Sequence, residues 1–140
     1  MAALTAGRLP KVLAKRTWRR FPVAASTIIY EGGMVALATS GGKTYAVPAD
    51  ATAANKVVGV ADATADNRTG AAAAASVDVN LGVYLMNVLA TDAVTIADIG
   101  ATVYVVDDNT VAKTSDTNAR PAAGTLFNVD ANGAWVRFDN

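Results

Sequence analysis

Few side chains in this 140-residue sequence are equipped for chemistry, because it holds neither histidine nor cysteine. Imidazole acid–base catalysis, Ser-His-Asp and Cys-His nucleophiles, His-ligated zinc and thiolate metal sites are all excluded, as are disulfides. Carboxylate, lysine and tyrosine chemistry remains. Asp107-Asp108-Asn109 offers oxygen ligands of the kind calcium or magnesium takes. It lacks the longer acidic series of an EF-hand loop, however, and reads better as a turn closed by side-chain-to-backbone hydrogen bonds. Lys43-Thr44 behind Gly41-Gly42 has a superficial look of a phosphate loop. Without Walker spacing or a following helix, a hairpin is expected. Tyr30, Tyr45, Tyr84, Tyr104 and Trp135 fall in strand-like runs, where core packing is the commoner use of such rings and a ligand-binding face the rarer one. No acid, base and nucleophile converge. No catalytic, metal or cofactor-binding residue is assigned, and the chain is read as a non-enzyme.

Charge is the strongest non-random feature. Arg8, Lys11, Lys15, Arg16, Arg19 and Arg20 place six of the twelve basic residues in the first twenty, with no acid among them. The other 120 residues hold six basic and all twelve acidic residues, so a +6 arm joins a −6 body. Such asymmetry implies a partner or an intramolecular contact. Four readings of the arm follow: phosphate binding to nucleic acid, contact with an acidic protein surface, a transit-peptide-like leader, or a solvated segment. Trp18, between Arg16 and Arg19-Arg20, favours protein contact, because Trp and Arg are enriched at interface hot spots. Nucleic acid ranks second. The candidate contact residues are therefore Arg8, Lys11, Lys15, Arg16, Trp18, Arg19 and Arg20.

The elements that must position these residues divide the chain into a basic arm at 1–22 and a body at 23–140. Pro10 and Pro22 interrupt the arm. Either a short amphipathic helix over 11–20 or an extended strap is expected there; twenty extended residues reach roughly 65–70 Å. The body shows short β-rich runs with dense turn signals: residues 26–30, 34–38, 44–47, 56–61, 76–80, 81–87, 101–106, 110–113, 124–129 and 134–138. Gly41-Gly42 and Asn132-Gly133 are tight-turn signals. Residues 62–70 read as a loop. Thr95, Asp98 and Gly100 mark a single capped helical turn. The alanine run at 71–75 is too short to nucleate a helix and is expected to be extended or looped. The sum is an all-β chain, a β-sandwich or jelly roll of about eight short antiparallel strands with an extended basic N-terminal arm.

Composition narrows the setting. Only 17% of residues are charged, against about 25% in ordinary domains, and near-zero net charge favours association. This suits a protein that lies against other protein. No apolar run approaches the roughly 18–20 residues that span a bilayer, so no membrane role is expected, and with no secretory signal visible synthesis inside the cell is expected.

The ordered series TIIYEGGMV (27–35), VVGVA (57–61), DNRTG (66–70), VTIADIG (94–100), VYVVDDNTV (103–111), Ala123-Gly124 and VDANGAWV (129–136) resembles the small cement or decoration proteins of tailed-bacteriophage heads. The resemblance spans residues 26–138 and leaves the arm out. It implies a structural virion protein on the capsid exterior, made in the host bacterial cytoplasm. Its implied partners are the major capsid protein and itself, as a homo-oligomer with a dimer slightly ahead of a trimer. No cofactor is implied, and nucleic acid is not the expected ligand.

Overall fold

β-Branched and apolar residues at alternating positions, cut by glycine-rich turns, favour strands over helices. The computed structural model describes residues 2–9 and 12–139, and the side chains of all of these except residues 12–17. Eleven strands are present among them: β1 (Val12–Pro22), β2 (Thr27–Ile29), β3 (Met34–Ser40), β4 (Lys43–Pro48), β5 (Lys56–Ala61), β6 (Ala65–Asn67), β7 (Ser76–Val88), β8 (Thr102–Asp107), β9 (Thr110–Ala112), β10 (Ala122–Asp130) and β11 (Gly133–Phe138). Two single 3-10 turns, Ala90–Asp92 and Ile96–Asp98, are the helical elements among these residues. Neither is long and apolar enough to cross a membrane.

The all-β expectation holds. β2 pairs with β6; the other nine strands form one sheet in the order β11-β10-β8-β9-β7-β5-β3-β4, with β1 on β7. Because β11 also pairs with β7, the path β7–β9–β8–β10–β11 returns on itself as a closed ring. The long β7 makes this possible by changing partners along its length. Its first half lies against β1 and β5, its second half against β11, and its end runs parallel to β9.

Two apolar clusters result. The larger is lined by Met34, Met86, Val105, Leu126, Val136 and Phe138 among others. The smaller gathers Val23, Ile29, Val35, Val58, Val77 and Val79. Successive residues of β3 and β5 thus feed opposite clusters, as the two-residue period of a strand requires. In β5 the period slips at Gly59, which has φ +139° and lies so close to the Asn80 carbonyl that a Cβ would sit 2.5 Å from that oxygen. No L side chain fits there, so Gly59 sets the bulge that lets Val57 and Val60 face the same cluster.

Several local expectations are corrected. The helical alternative for the arm fails over residues 12–20: this segment is a strand whose Trp18, Arg19 and Arg20 oppose Asn80, Val79 and Asp78 of β7. It is extended, but along its own body. The runs at 76–80 and 81–87 are one strand. The loop at 62–70 contains β6, whose Asn67 is buried and donates its amide to Ala24 O and Ala71 O, both at 2.9 Å. The last hairpin turns one residue early, on Ala131-Asn132, with Gly133 opposite Asp130.

Candidate functional site

The seven candidate contact residues do not form one basic patch. Lys11 lies outside the described residues. Lys15 and Arg16 belong to β1, Lys15 opposite Gly82, and their side chains lie outside the description. The remaining four have distinct fates.

Trp18 is exposed. Its side chain is 60% accessible, a large apolar area to leave in water. Arg20, two residues on and on the same face of β1, pairs bidentately with Asp78 of the adjoining strand: Nε donates to Oδ1 at 2.8 Å and a terminal nitrogen to Oδ2 at 3.2 Å. These hydrogen bonds hold the Asp78 carboxyl below the usual carboxylate range. Arg19 points the other way. It donates to Val58 O at 2.9 Å, and its guanidinium lies 5.4 Å from the centre of the Phe21 ring, a cation–π distance.

Arg8 is turned into the body. A terminal nitrogen donates to Leu85 O at 3.0 Å and to Gly32 O at 3.3 Å, and lies 3.5 Å from Met86 Sδ. Its backbone N–H donates to Glu31 O at 2.9 Å. Nε is buried without a hydrogen-bond partner among the described residues. Burial lowers the Arg8 pKa, with the Asp108 carboxylate opposing the shift. Four residues earlier, the Leu4 backbone N–H donates to Asp108 Oδ1 at 2.8 Å. Asp108 is itself almost fully buried, and that burial raises its pKa despite the Leu4 hydrogen bond. Residues 2–9 therefore form a strap outside the sheet, tied down at Leu4 and Arg8.

The other candidates fall to structure. Asp107 Oδ1 accepts from Asn109 N at 3.0 Å, the side-chain-closed turn expected of Asp107-Asp108-Asn109. Among the described residues no three Asp, Glu, His or Cys side chains are grouped to hold a metal. Lys43-Thr44 opens β4 directly after the Gly41-Gly42 turn. Tyr84 is buried in the larger cluster, 6.4 Å centroid to centroid from Phe138, and buried Trp135 donates Nε1–H to Asp130 Oδ2 at 2.9 Å. Tyr30, Tyr45 and Tyr104 are half-buried and converge on no cleft together. Open grooves among the described residues include one of about 570 Å³ lined by Asn87, Val94, Asp130 and Asn132, one of about 500 Å³ lined by Lys56, Val57 and Pro121, and one of about 480 Å³ beside the strap, lined by Leu4, Tyr30, Pro48 and Asp108.

Sequence reasoning missed three exposed apolar side chains, Ile96, Ile99 and Phe127. Ile96 opens the capped turn and Ile99 follows it; within it Asp98 Oδ2 accepts from Thr95 N at 2.8 Å. The cap was readable in advance. Which face its isoleucines present depends on how the turn docks on β10. No protein-family model, curated protein or solved structure matches the chain.

Proposed function

We propose that the chain is a structural virion protein. It binds the outer surface of a tailed-phage head and stabilises the shell by bridging neighbouring major capsid protein subunits. The ordered motif series points to that class. The single observation that supports it best in three dimensions is Trp18, exposed on a strand that is already ordered against the body. A rigid aromatic anchor binds at lower entropic cost than one on a loose arm, and Trp is the residue type most enriched at energetic hot spots. In this reading the body, of the sandwich or jelly-roll kind, is a rigid spacer, and it carries no catalytic group or cofactor. Copies act as a homo-oligomer whose repeated weak contacts add through avidity across a capsomer seam.

Purified protein is expected to rebind undecorated heads at a fixed ratio to the major capsid protein. Trp18→Ala should weaken rebinding by roughly tenfold or more, the range of a hot-spot truncation, while leaving the melting temperature unchanged. Absence of the protein from purified particles would sink the proposal. Salt-sensitive retention on DNA, lost when the basic residues of β1 are neutralised, would replace it with nucleic-acid binding. That alternative loses ground because Arg8, Arg19 and Arg20 all make contacts within the chain.

A further inference from the structure

We propose that residues 2–9 are an exchangeable strap, and that the slot holding Leu4 and Arg8 also receives the same segment of a second copy of this chain. The proposal stands whether or not the protein decorates a capsid.

The strap behaves as a ligand of the body rather than as part of its sheet. Its polar anchors are a peptide N–H at each of two positions four residues apart and one guanidinium. The groups that receive them, Glu31 O, Gly32 O, Leu85 O and Asp108 Oδ1, all lie in the body. Leu4 packs on Gly33, where a Cβ would come within 3.2 Å of Leu4 Cδ1; the missing side chain is what makes room for the leucine. Between the anchors, residues 5–7 face solvent, and Leu9 beyond them is 86% exposed. The slot is therefore cut for a short Leu-x-x-x-Arg segment, and nothing in its chemistry distinguishes a strap of its own chain from a neighbour's.

Charge holds a strap in the slot whichever copy supplies it, and reach lets the second copy supply it. The strap carries Arg8 and no acid, while the slot side carries Asp107 and Asp108, with Asp50 on the same groove. The buried, unpartnered Arg8 Nε subtracts from the closed clasp, because an unsatisfied buried donor is costly. The strap is therefore held less firmly than its contacts alone would give. Residues 2–9 alone span up to about 26–29 Å when extended. That is well beyond the radius of gyration of about 14 Å expected for 140 residues. Reciprocal exchange between two copies closes a twofold pair without any new type of contact.

The chain has no cysteine, which allows a direct test. A Cβ at Gly7 would lie 2.9 Å from Thr64 Oγ1, a separation that suits a Cβ and the far sulfur of a disulfide. A Gly7→Cys variant and a mass-tagged Thr64→Cys variant, mixed in equal amounts and oxidised, can form that bridge only in trans. The expected result is a covalent heterodimer mapped by peptide mass to positions 7 and 64. Its yield should rise with concentration and fall severalfold when Arg8→Ala is added to the first variant. The double variant Gly7→Cys/Thr64→Cys, closing within one chain at low concentration, establishes that both substitutions fold and that the bridge can form. With that control closed, two results overturn the proposal: no heterodimer at any concentration, or a heterodimer no more abundant than the same-site homodimers and indifferent to Arg8→Ala.

Discussion

Arg120 and Arg8 both leave the solvent, and the difference between them shows how this chain treats its charges. Arg120 meets a carboxylate head-on: it donates to Asp92 Oδ2 at 2.9 Å and to Thr114 O at 3.2 Å. Thr114 Oγ1 donates to the same Asp92 oxygen at 2.7 Å. These donors, the Thr114 hydroxyl foremost, hold Asp92 below the usual carboxylate range. They also pin a loop in which Asp116, Thr117 and Asn118 all have left-handed backbone, φ 52°, 56° and 65°. Such a conformation is unfavourable for a β-branched residue such as Thr117 and persists only where the surroundings enforce it. Arg8 instead faces carbonyls, keeps one donor unpartnered, and has its carboxylate, Asp108, engaged by Leu4. The first arginine is a pin, the second a clasp.

The largest expected effect follows from the pin. Arg120→Ala removes charge-assisted hydrogen bonds, worth about 1.5–3 kcal/mol in total at such a site, and leaves the left-handed loop without its restraint. Thermal unfolding should fall by roughly 5–10 °C. Arg8→Ala should cost less, about 1 kcal/mol or below, because the wild-type clasp already contains an unsatisfied donor. If differential scanning calorimetry shows Arg8→Ala to be as damaging as Arg120→Ala, the distinction between pin and clasp is wrong.

That distinction was closed to sequence reading, and the reason is physical. Arg8, Arg19 and Arg20 look alike in a basic run, yet one is turned inward, one lies along Phe21 and one is exposed, and only the partner elements decide which. Where the signal is local it was legible. Gly41 and Gly42 adopt φ 60° and 76°, the paired left-handed residues that a two-residue hairpin needs. The Thr95–Asp98 cap is also in place, and the short alanine run forms turns instead of a helix. β6 was missed because it is three residues long and mostly polar: its ladder with β2 is short, and its buried Asn67 spends its amide on Ala24 O and Ala71 O, outside that ladder. The continuity of β7 and its parallel step onto β9 were missed because one strand serves several partners, and periodicity carries no record of partners. The arm's strand was obscured in the same way: Arg19 and Phe21 point inward together, so its inner face carries a charge.

Asp108 sharpens the comparison from the acidic side, with an intermediate effect. Its pKa is raised by burial, with Asp107 adding to the shift and the Leu4 N–H and Arg8 opposing it. A carboxyl raised in the folded state binds its proton more tightly there than in the unfolded chain. Stability from this group is therefore greatest at acid pH and declines as pH rises from the ordinary carboxylate value through the raised one. Asp92 has the opposite sign, contributing above the ordinary value and losing that contribution as pH falls through its lowered pKa. Asp108→Asn keeps an acceptor for Leu4 but cannot ionise. Relative to wild type, its melting temperature should improve as pH rises from the ordinary carboxylate value through the raised one, and level off above it. A difference that stays flat across that range would show that burial does not penalise this carboxylate.

The smallest expected effect tests whether position, rather than pairing, separates pin from ornament. Arg20 and Asp78 have better bidentate geometry than Arg120 and Asp92, at 2.8 and 3.2 Å, but both partners are substantially exposed. Water and salt screen such a pair, and ordering two long side chains offsets what attraction is left. Arg20→Ala should therefore leave the melting temperature unchanged within error at moderate ionic strength. The same substitution should still move the Asp78 carboxyl up toward the ordinary range, since the Arg20 hydrogen bonds are the largest cause of its depression. An NMR titration of the Asp78 side chain reads that shift directly. A clear upward shift with no loss of stability identifies a pair that sets local charge without holding the fold. A stability loss rivalling that of Arg120→Ala would mean that β1 is fastened to β7 by this ion pair, and Trp18 would then owe its fixed presentation to Arg20 more than to the backbone ladder beneath it.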